Sequence, residues 1–136
     1  MDAPPFLAAR LDRDAAPLAV GDVIALLVLL TAGTLNHTSV EFLTANPLYL
    51  SEVFAPFLIG WVLIAPLVGA YSAGAAETAK SSVPLAIRSW IPAAVVGLAL
   101  RAVVFRGGAE LSFAAVMLVS GSVALGGWRA LYFRIR

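Results

Sequence analysis

The polar positions of this chain are unevenly spread. Long stretches such as "VIALLVLL", "FLIGWVLIAPLVG" and "FAAVMLVSGSVALGG" are apolar around the full circumference of a helix. An amphipathic helix of a soluble bundle would return a polar residue every three or four positions. Porin-like strands would alternate in short segments. The pattern therefore predicts four membrane-spanning helices at about 19–35, 52–76, 85–105 and 111–131. Each has about 17 to 25 residues, enough to cross about 30 Å of hydrocarbon at about 1.5 Å per residue. The fold class expected is an all-α integral membrane bundle of four transmembrane helices.

Composition agrees with that pattern. Of 136 residues, 61% are hydrophobic and 12% charged, where an ordinary soluble domain is about half apolar and about a quarter charged. No cysteine is present, so disulfides, thiol redox chemistry and thiolate metal sites are excluded. The net charge of +1 gives no electrostatic footprint for nucleic acid. The organisation expected is a cytoplasmic N-terminal arm over 1–18, a transmembrane domain over 19–133 and a short basic cytoplasmic tail over 134–136. The connections leave no room for a separate soluble domain, and no internal repeat is evident.

Lysine and arginine set the orientation. Arg10, Arg13, Lys80, Arg88, Arg129, Arg134 and Arg136 all fall on one side, whereas the connection "NHTSVEFLTANPLYLS" has neither residue type and the third connection has Arg106. Positive charge is retained on the cytoplasmic face, so both termini are expected inside. Trp128, Tyr132 and Phe133 suit the inner headgroup level, and Phe42, Leu43 and Tyr49 around Asn46-Pro47 suit an outer connection lying along the interface.

The charges inside spans are the candidates for chemistry, since an ionisable side chain in hydrocarbon needs a partner, a route to water or a function. Arg101 shares a helical face with Gly97, Ala94, Ala93 and Trp90, so it points into the bundle, and the outer carboxylate Glu52 is its expected partner. Asp22, at the inner end of the first span, is at the level of Arg88 and Arg129; an inner pair of Asp22 with Arg88 is expected. Asp22 also suits a first-turn acid at the positive end of a helix. Pro66 is expected mid-span, freeing the carbonyl of Val62 and bending the helix. Gly97, Gly121, Ser122 and Gly126 form small-residue faces for close helix packing. His37 is the only histidine, so no metal site, catalytic residue or cofactor is expected.

An aspartate opening "VGDVIALLVLLTAGTLNH", then "APFLIGWVLIAPLVGAY", "RSWIPAAVVGLALRA" and a closing "GWRALY" resemble the four-helix membrane family catalogued as domain of unknown function 3054, found in halophilic archaea and actinobacteria. The resemblance covers about 22–132. It implies an integral membrane protein of four helices and brings no activity with it.

Three functions remain open on these residues. The first is a non-enzymatic accessory or assembly protein of the cell membrane, packing against itself or another membrane protein within the lipid bilayer. The second is a small dimeric carrier or channel that uses Asp22 and Arg101 for proton or anion coupling. The third, a lipid-acting enzyme, lacks a recognisable acid, base and nucleophile set.

Overall fold

A computed structural model describes residues 9–105 and 108–136; residues 1–8 of the expected N-terminal arm and Arg106 lie outside the described residues. Among the described residues the fold is all-α. Helices α1 (Ala16–Leu35), α3 (Tyr49–Val68), α4 (Ala79–Val103) and α5 (Leu111–Ile135) are long and apolar enough to cross a membrane. A short helix, α2 (Val40–Ala45), and two single 3-10 turns, Arg13–Ala15 and Ala73–Ala76, occupy the connections. The chain is a four-helix transmembrane bundle. One end of it carries the first described residues, the C-terminus and the 69–78 connection and is termed the tail end; the other carries the 36–48 connection, the end of α4 and the start of α5 and is termed the loop end.

Burial on α1 shows which solvent the bundle is built for. Leu18, Asp22 and Leu26 are 0% exposed, whereas Val20, Ile24 and Val28 on the opposite face are 55–63% exposed. The outward face is thus as apolar as the inward one, and Val62, Val95, Val119 and Val123 continue it on the other helices. Water would penalise so large an apolar surface, and lipid does not.

The core is aromatic at its centre and glycine-lined at its contacts. The rings of Phe57 and Trp61 lie 6.0 and 6.5 Å from that of Trp90, each tilted against it. Around them, glycines allow backbones to approach. A Cβ on Gly60 would collide with the Ala93 carbonyl oxygen, one on Gly97 would meet the Phe57 ring at 2.6 Å, and one on Gly121 would collide with the Trp90 indole. Gly97 and Gly121 therefore stand where the small-residue faces were expected. Gly126 has looser neighbours in Val83 and Ile87, and Ser122 turns its hydroxyl onto the Leu118 carbonyl of its own helix.

Helix α1 begins at Ala16, three residues before the expected limit, and the other three spans differ for local reasons. Helix α3 covers Tyr49–Val68 instead of 52–76, because Gly69 adopts φ 101° and ends the helix in the left-handed conformation that glycine allows. Pro66 consequently lies in the last turn and not mid-span. Helix α4 begins at Ala79 instead of 85, where Thr78 accepts a hydrogen bond from the Ser81 amide as N-cap. Helix α5 runs on to Ile135, taking Arg134 of the expected tail into the helix.

Candidate functional site

The four charges singled out from sequence fall into two different environments. At the tail end, Asp22 and Arg129 form a forked ion pair: Arg129 Nε donates to Asp22 Oδ1 at 3.1 Å and Nη2 donates to Oδ2 at 2.6 Å. Both side chains are 0% exposed, and among the described residues this is the only ion pair. The expected Asp22 pair with Arg88 does not form. Arg88 is exposed on the far side of α4, whose inward face at that level is Ser82, Ala86 and Ser89. Arg129 instead projects from the inward face of α5, in line with Leu125 and Gly121 at four-residue steps.

The pair is hydrogen-bonded on every side. Arg129 Nη1 donates to both the carbonyl and the hydroxyl of Ser82 at 3.2 Å. Tyr71 donates from its hydroxyl to Asp22 Oδ2 at 2.8 Å, and the Trp61 indole N–H donates in turn to the Tyr71 oxygen at 2.7 Å. The Arg129 guanidinium lies 5.5 Å from the centre of the Tyr71 ring. Burial holds the Tyr71 phenol well above its ordinary pKa, reinforced by the neighbouring Asp22 carboxylate, so it remains a proton donor to that carboxylate. Four of the five groups, Trp61, Tyr71, Asp22 and Arg129, come from four separate segments, and Ser82 of α4 adds a fifth.

The N-terminal arm closes this end. The Asp12 amide donates to the Tyr71 carbonyl at 2.7 Å, Arg10 Nε donates to the Leu67 carbonyl at 3.1 Å, and Arg136 donates to the Ala76 carbonyl at 3.0 Å. Beside the pair, the Trp128 ring fills the space that a side chain on Gly21 would occupy. Trp128, Tyr132 and Phe133 form a continuous aromatic row, with ring centres 5.6 and 5.0 Å apart.

At the loop end, Arg101 has no acidic partner among the described residues. It lies in the last turn of α4, where a cation suits the negative end of the helix dipole. Its Nε donates to the Gly108 carbonyl at 3.1 Å, and its guanidinium sits 4.5 Å from the centre of the Phe113 ring. Glu52 is exposed and forms no ion pair with it. The early start of α4 explains the difference. Its midpoint is near Ile91, which puts Arg101 about 15 Å from the helix centre at about 1.5 Å per residue, within reach of a backbone carbonyl in the connection.

Arg101 borders a cleft of about 500 Å³. Asn36, His37 and Tyr49 share its rim with Arg101, while Leu30 and Met117 lie at its floor. The rim is polar and the depth apolar. Among the described residues no Ser or Thr hydroxyl bonds a histidine or a carboxylate, and no three His, Asp or Glu side chains gather as a metal set.

Sequence reasoning missed Tyr71 and Ser82, and it ranked Arg129 behind Arg88. The signal for Arg129 was present: it shares a face with Gly121, Leu125 and Gly126, the same criterion that turned Arg101 inward. For Tyr71 and Ser82 no periodicity signal exists, because one lies in a connection and the other is a small polar residue in a first turn.

No curated protein and no solved structure matches the chain. A family model does, over residues 19–132, described as protein of unknown function (DUF3054). That stretch includes both Asp22 and Arg129 and the whole rim of the loop-end cleft. With most of its length matched, this four-helix membrane chain belongs to the DUF3054 family of proteins of unknown function.

Proposed function

We propose that this protein is a small non-enzymatic accessory subunit of the cell membrane, both termini cytoplasmic, that acts by packing against a second copy or another membrane protein. The observation that carries this reading is the closed state of the Asp22–Arg129 pair, with 0% exposure on both sides. A coupling carboxylate must exchange protons or cations with water during its cycle. Here both oxygens are engaged, by Arg129 and Tyr71, and the pair joins α1 to α5 as a structural tie. The cytoplasmic assignment of the tail end follows from its lysines and arginines.

Purified protein reconstituted in liposomes tests the reading. Proton and chloride flux at the protein-free background are expected, together with migration of the mildly solubilised protein from its native membrane as a complex of fixed composition. Flux above background that Asp22→Asn removes would overturn it. The orientation is tested on the natural cysteine-free chain: Thr44→Cys is expected to react with an impermeant maleimide in intact cells, and Glu77→Cys only after lysis.

The carrier reading is favoured by one observation, the loop-end cleft beside Arg101. A carrier would have to open a path beyond Leu30 and Met117, and Arg101→Gln would then reduce anion flux.

A further inference from the structure

We infer that the loop-end cleft binds an anionic phospholipid, its phosphate on Arg101 and one acyl chain lying over Leu30 and Met117. Three observations lead there, and none depends on the accessory reading.

The first is an uncompensated cation. Arg101 uses Nε on the Gly108 carbonyl and one face on Phe113, and its two terminal amino groups bond no described residue. No carboxylate of the described residues lies within ion-pairing distance of it. A half-buried guanidinium with two free donors in parallel is suited to a phosphate, which accepts from such a fork with both geometric and charge complementarity.

The second is the shape and lining of the space in front of it. About 500 Å³ falls in the range of sites that hold a small organic ligand. Asn36 and His37 add polar groups at the rim, Thr34 has its hydroxyl committed to the Leu30 carbonyl, and the depth is apolar. A free inorganic anion would leave that depth unfilled, and an uncharged lipid would leave Arg101 unmatched. A phospholipid satisfies both. Glu110, the residue before α5, lines a second recess with His37 and Phe113 and forms no ion pair with Arg101.

The third is level. Arg101 is about 15 Å from the middle of its helix, which is half of a hydrocarbon core of about 30 Å. That is the edge of the hydrocarbon, from which an arginine side chain reaches the headgroup layer.

The test uses the full chain in a neutral maltoside detergent, with thermal unfolding followed as a function of added dioctanoyl phosphatidylglycerol, dioctanoyl phosphatidylcholine or inorganic phosphate. Phosphatidylglycerol is expected to raise Tm saturably, by about 5 °C or more at a hundred times its half-saturating concentration. The other two are expected to have little effect. Arg101→Gln should abolish the shift and Arg101→Lys should retain part of it. Gly33→Phe puts a ring into the cleft while keeping Arg101, since Gly33 lines it and a Cβ there meets nothing within 4 Å. It should abolish the shift while leaving the starting Tm within a few degrees, which keeps the test valid if Arg101→Gln folds poorly. Equal stabilisation by phosphatidylcholine would make the lipid merely annular, and equal stabilisation by inorganic phosphate would make the site one for a free anion. Either result overturns the proposal, as does a full phosphatidylglycerol shift in Gly33→Phe.

Discussion

Arg129 and Arg101 are the same residue type inside the same bundle, and the two ends treat them in opposite ways. Arg129 is sealed among Asp22, Ser82 and Tyr71, with every donor group on a protein acceptor or committed to the fork. Arg101 has a single backbone acceptor and an aromatic face, and it looks onto open space. The difference lies in the geometry of the chain around them. At the tail end, three helices, a connection and the N-terminal arm converge; at the loop end, the ends of α1 and α5 stand apart around the cleft. An intramembrane arginine is therefore no single kind of signal. Its partners decide whether it ties the fold together or is left available to a ligand.

The comparison is broken most directly at the sealed end. Asp22→Asn leaves the buried Arg129 charge uncompensated, and removing one partner of such a pair costs about 3–5 kcal/mol. Guanidinium or dodecyl sulfate titration in mixed micelles should show it. The double change Asp22→Leu with Arg129→Met should recover most of that loss, because an apolar replacement of a whole buried pair is often neutral. A double variant as unstable as the single one would mean that the pair does more than tie α1 to α5.

A smaller effect is expected from Tyr71→Phe. It leaves an Asp22 oxygen and the Trp61 indole N–H each short of one bond, at about 1–3 kcal/mol for a buried unsatisfied group. The same hydroxyl gives a pH dependence whose sign can be worked out. The folded phenol holds its proton more tightly than the unfolded one, whose ordinary pKa is 10.0. The stabilisation is therefore complete below pH 10 and declines as pH rises above it towards the folded value. Tyr71→Phe should flatten that alkaline decline; an unchanged slope would assign it to other groups.

The smallest pair of effects contrasts glycines at the two levels. Gly60→Ala pushes a methyl into the Ala93 carbonyl and should destabilise by about 1–3 kcal/mol. Gly33→Ala, beside the open cleft, meets nothing and should be neutral or stabilise by up to about 1 kcal/mol. Equal penalties at both positions would mean that the loop end is packed more tightly than its cleft implies.

How much of this was legible before the fold was known depends on the type of signal. The four spans and the inward face of α4 follow from apolar length and helical spacing, which act locally and survive tertiary packing. The ends of the spans did not, because single residues set them: Gly69 stops α3 and Thr78 starts α4, each by a backbone geometry that hydropathy does not encode. The end of α4 at Val103 leaves Arg101 in the last turn, where its partner is the Gly108 carbonyl and not Glu52. Asp22 was recognisable as a charge needing a counter-ion. The choice between Arg88 and Arg129 required knowing how α4 and α5 are rotated about their axes, which depends on packing against the aromatic core formed by Phe57, Trp61 and Trp90.

The ion pair between α1 and α5 also has a consequence for how the protein is made. Asp22 and Arg129 are 107 positions apart. At a synthesis rate of roughly 5–20 residues per second, the acid waits about 5–20 s for its counter-ion to leave the ribosome. Throughout that interval α1 carries a carboxylate without the counter-ion that the finished bundle supplies. Completion of the last span is thus the event that locks the first one in place. A chain truncated before Arg129 would present an incomplete first span to membrane quality control.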